Sequence, residues 1–86
     1  MPRGELAEAR KLLRARKFTA VIRLLEPEVF RFRESAAYYR LLGMSCLYSG
    51  DFGGASSYLE RARALEPDDT GTRLGLAAVL LRRGKA

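Results

Sequence analysis

Displaced by 34 residues, the chain lines up with itself without a gap: Phe18 falls on Phe52, Leu25 on Leu59, Leu42 on Leu76, Gly43 on Ala77, Cys46 on Leu80 and Gly50 on Gly84. A unit of this length cannot bury its apolar face alone and does so by stacking on its own copies, so the period predicts an elongated array. The 86 residues hold two units, 2–35 and 36–69, and the first half of a third, 70–86. A chain this short buries only about 60 to 65% of its unfolded surface. That argues against a deep, enclosed active site.

The middle unit shows its plan most clearly. Ala36 to Ser49 contains no Pro, has only Gly43 inside it, and spaces its apolar residues for a helix that Ser35 can cap. Gly50-Asp51 breaks the pattern. A second helix follows with Phe52, Ala55, Leu59 and Ala62 on one face and ends before Pro67-Asp68-Asp69. The first unit keeps this register with different residues: Arg16 lies where the turn Gly is expected, and Pro27 interrupts the run from Phe18 to Phe32. Proline inside a helix costs about 3 kcal/mol, so the second helix of this unit is predicted to bend or restart near Glu26-Pro27. The third unit supplies one helix from Thr70 onward, which makes five.

These residues give the middle unit a resemblance to a tetratricopeptide repeat, whose pattern runs W-x2-L-G-x2-Y, then A-x3-F, then P. Tyr39 stands where the Trp would be, Leu42-Gly43 match, and Cys46 replaces the Tyr. Ala55 and Leu59 fill the next pair, and Ala62 and Pro67 close the unit. The resemblance implies an all-α fold, a right-handed superhelix of antiparallel helix pairs with two and a half repeats. It also implies a concave groove, lined by the first helix of each pair, that binds a peptide.

On a helical wheel, Tyr39, Leu42, Gly43 and Cys46 form the packing stripe of Ala36–Ser49. A second surface carries Ala37, Arg40, Leu41, Met44, Leu47 and Tyr48, and the resemblance makes this the groove face. Across the units the candidate groove residues are Arg3, Arg10, Arg14, Arg40, Leu41, Met44, Leu47, Tyr48, Leu74, Ala78, Leu81 and Arg82. An apolar floor ringed by Arg suits a partner segment that buries apolar side chains and offers carboxylates to guanidinium forks. The plain alternative places Leu41, Met44 and Leu47 in the core. The carboxylate clamp known in this family needs Asn, and the chain has none.

The helix from Thr70 is apolar around most of its circumference, and Leu76, Val79 and Leu80 are the candidate edge for self-association. Assembly of copies through the repeat ends, including a homodimer through this helix, is therefore the second functional reading. The net charge of +6 raises nucleic acid as a third. The basic cluster Arg10, Lys11, Arg14, Arg16, Lys17 and Arg23 has only Phe18 as a stacking aromatic, which disfavours it.

Catalysis finds little to work with. The chain has no His and a single Cys46, which removes the Ser-His-Asp triad, an intramolecular disulfide and a zinc site. Gly50-x-x-Gly53-Gly54 lacks the following Lys-Ser/Thr of a phosphate loop, and Asp68-Asp69-Thr70 reads as a helix cap rather than a metal site. A non-catalytic scaffold without metal or cofactor is expected. No uncharged stretch approaches the roughly 20 residues of a bilayer span, and the start lacks the apolar core of a secretory signal. The expected location is the cytoplasm.

Overall fold

The computed structural model describes residues 4–84. Their regular structure is five α-helices: α1 (Gly4–Arg14), α2 (Phe18–Leu25), α3 (Ala36–Ser49), α4 (Phe52–Leu65) and α5 (Thr70–Gly84), with a 3-10 turn at Glu26–Glu28. No strand occurs among the described residues. The 34-residue register reappears in the helix starts, since α2 and α4 begin at Phe18 and Phe52, and α3 and α5 at Ala36 and Thr70. Helices stack along one axis into a body of 42 × 26 × 19 Å.

Each boundary has a local cause. The Ser35 hydroxyl accepts the Tyr38 amide at 3.2 Å and starts α3. Gly50, at φ 94°, ends it and turns the chain back. Asp51 then caps α4 by accepting the Gly54 amide at 3.0 Å. In the first unit Arg16 takes the place of Gly50 and adopts φ 64°, so the turn keeps its left-handed geometry without glycine. The interruption at Pro27 is sharper than a bend: α2 stops at Leu25, and the chain continues through the 3-10 turn and further turns to Glu34 rather than as a second helical segment. Tyr38 satisfies the carbonyl this leaves behind, its hydroxyl donating to the Leu25 oxygen at 2.7 Å in the buried interior. Arg31 grips both carboxylate oxygens of Glu5 at 3.0 Å and ties the turn to α1.

Helix α3 touches all four other helices, so the core runs along it. One cluster joins Ala9, Val21, Leu25, Tyr38, Tyr39, Leu41, Leu42 and Ala62; the next joins Cys46, Leu47, Ala55, Leu59 and Val79. Gly43 sets the α3–α4 spacing, because a Cβ there would lie 2.6 Å from Leu59 Cγ and 3.3 Å from the Leu59 amide nitrogen.

Candidate functional site

Helices α3 and α5 lie side by side, and their shared surface opens as a shallow pocket of about 410 Å³. Met44, Leu47 and Tyr48 line it from α3; Gly71, Leu74, Gly75, Ala78 and Arg82 line it from α5. The two helices come close because Gly75 faces the neighbouring pair: a Cβ on it would sit 2.9 Å from Met44 Sδ and 3.1 Å from Leu59 Cδ1. Leu47, only 2% exposed, is the floor, while Tyr48 and Leu74, at 46% and 65%, stand at the rim. The walls are therefore mostly apolar, with Arg82 as their only charged residue among the described ones.

Tyr48 is braced from behind. Its ring lies 5.2 Å from that of Phe18, and the Arg16 guanidinium sits 5.6 Å from the Phe18 ring centre. At the other end of α3, Arg40 donates to Asp69 Oδ2 at 2.8 Å. The same oxygen accepts the Thr72 hydroxyl at 2.6 Å and the Thr72 amide at 3.2 Å, which caps α5 and locks it to α3. The Thr72 donors, joined by Arg40, hold the Asp69 carboxyl below its usual range. As read from the sequence, the acidic run before Thr70 works as a cap.

The candidate groove residues divide. Met44, Leu47, Tyr48, Leu74, Ala78 and Arg82 come together in the pocket. Leu41 does not belong to an open surface: it is 4% exposed and sits in the core cluster with Ala9 of α1, because α3 has helices on both sides. Arg40 is occupied by Asp69 rather than free to grip a ligand. Arg10 and Arg14 are exposed on α1 and do not line the pocket, and Leu81, 68% exposed, lies outside it on α5. Arg3 lies outside the described residues.

The self-association edge also needs correcting. Val79 is 1% exposed in the second core cluster, and Leu76 packs partly against that cluster. Val79 points inward because it shares one side of the α5 wheel with Thr72 and Gly75, and Leu76 lies at the edge of that side, half-buried. Only Leu80, at 70%, faces outward as expected. Phe18, named from the sequence as the stacking aromatic of the basic cluster, instead supports the pocket rim through its contact with Tyr48.

No group of acidic or Cys side chains able to hold a metal ion occurs among the described residues. Burial pushes the Cys46 thiol up to about 11, so it stays protonated at neutral pH. No helix among the described residues is long and apolar enough to cross a membrane.

Paired helices in a fixed register, with an open face shared by α3 and α5, define a helical-repeat interaction module. The chain belongs to the tetratricopeptide repeat family, whose model matches residues 36–79, just over half of its length. The match begins at the first residue of α3 and runs into α5. No curated protein and no solved structure matches the chain. Membership supports protein–protein interaction as the general role.

Proposed function

We propose that the chain is a non-catalytic scaffold whose α3–α5 pocket holds a segment of a protein partner carrying apolar side chains next to a carboxylate. The observation that carries this reading is the pocket itself: an apolar floor and rim from Met44, Leu47, Tyr48, Leu74 and Ala78, with Arg82 in the same lining. Apolar anchors supply the affinity, and a guanidinium fork selects carboxylate over amide or ammonium.

Arg82 replaces Arg40 as the residue to test, since reversing Arg40 also breaks the cap on α5. A labelled acidic-apolar peptide panel is titrated against the parent, Arg82→Glu and Arg23→Glu. Arg23 is exposed on α2 and outside the pocket. The reading expects about tenfold weaker binding for Arg82→Glu, the scale of one charge-assisted contact reversed, and little change for Arg23→Glu. Equal losses in both would assign the binding to general charge and reject the pocket.

A further inference from the structure

The stripe that α3 buries under α4 recurs on α5 with no helix over it among the described residues. Tyr39, Leu42, Gly43 and Cys46 are all buried. The positions 34 residues later are Arg73, Leu76, Ala77 and Leu80. Of these, Arg73 and Ala77 are exposed, Leu76 is half-buried and Leu80 is 70% exposed. This side of α5 lies away from the pocket-lining Gly71, Gly75, Ala78 and Arg82.

We propose that this stripe docks an amphipathic α-helix of a partner chain, lying antiparallel to α5 as α4 lies on α3, with a small residue at its centre and a carboxylate near one end. Both features follow from the repeat. Gly43 admits Leu59, whereas Ala77 already fills the space of that Cβ and Leu80 is larger than Cys46, so the helix crossing Ala77 carries Ala or Ser where α4 carries Leu59. On α3 the Arg61 guanidinium lies 5.7 Å from the Tyr39 ring centre. On α5 the equivalent of Tyr39 is Arg73, which repels a guanidinium and attracts a carboxylate. No acidic residue lies within Thr70–Gly84, where Arg73, Arg82 and Arg83 are all basic. A second copy of α5 would set these cations against one another, so the occupant is a helix of different charge.

The probe is a side-chain-stapled helical peptide with the sequence of α4, residues 52–65, carrying Leu59→Ala and Arg61→Glu. Its control carries Leu59→Ala alone. Stapling is needed because a free peptide of this length is barely helical in water. Fluorescence anisotropy measures both peptides against the parent chain, Arg73→Glu, Leu80→Glu and Arg82→Glu, with circular dichroism confirming that each variant is folded. The parent is expected to prefer the Glu peptide about tenfold, the scale of replacing a like-charge contact by an opposite one. Arg73→Glu reverses the preference, Leu80→Glu abolishes binding, and Arg82→Glu changes neither. No saturable binding to the parent, or a preference untouched by Arg73→Glu, overturns the proposal. So does loss on Arg82→Glu, which would move the peptide into the pocket, or a dimer in sedimentation that Leu80→Glu dissolves, which would make a second copy the occupant. The pocket reading stands or falls separately, on Arg82.

Discussion

Arg16 and Gly50 hold the same place in successive units and the same left-handed backbone region, at φ 64° and 94°. Glycine meets no steric penalty there, whereas an L side chain costs about 1–2 kcal/mol. Gly50→Ala is therefore expected to lower stability by about 1–2 kcal/mol. Arg16→Gly is expected to gain only about 0.5 kcal/mol, because the added freedom of the unfolded chain offsets much of the relief. Urea denaturation of both variants checks the pair, and a stabilised Gly50→Ala would show that the turn does not need its φ. Gly43 constrains by space instead. Alanine gains about 1 kcal/mol over glycine in a helix interior, but its Cβ would lie 2.6 Å from Cγ of fully buried Leu59. With overpacking at about 1–3 kcal/mol, Gly43→Ala is expected to destabilise on balance and Gly43→Leu to do so more strongly. A melting temperature unchanged in Gly43→Leu would contradict the close α3–α4 approach.

Helix boundaries were the most legible level in the sequence, because they depend on local chemistry: Ser35, Gly50, Asp51 and the acidic run before Thr70 act within a few residues of themselves. The segment after Pro27 was less so. Proline forbids the helix, but the path that follows is set by distant partners, the Tyr38 hydroxyl on Leu25 and Arg31 on Glu5. The link between α3 and α5 is likewise long-range, since Asp69 joins the cap of α5 to Arg40. Its depressed pKa stabilises the fold above the ordinary carboxylate value near 3.9. That contribution is lost as pH falls through the native value below it. Thermal melts from neutral pH into acid should show Asp69→Asn, which retains a capping oxygen, losing less stability than the parent in that window. Equal acid sensitivity would mean that other carboxylates, Glu5 among them, carry the effect.

At the scale of the whole molecule, the wheel of one helix ranks its faces but cannot count its neighbours. That is why Leu41, read as groove, is covered on α3 and lies in the core, while Leu81, also read as groove, is exposed on α5 outside the pocket. The same limit placed Val79 on an outer edge when α4 and α3 in fact cover it. Six of the twelve candidate groove residues nevertheless meet in one pocket, because the repeat fixes which faces of α3 and α5 adjoin. The central claim, that this shared face is where a partner segment binds, is tested most directly by amide chemical-shift mapping during titration with an acidic-apolar peptide. The account predicts saturable shifts centred on Met44, Tyr48, Gly71, Gly75 and Ala78, weakened by salt through Arg82. Shifts centred instead on the basic cluster from Arg10 to Arg23, with the α3–α5 face unmoved, would contradict it.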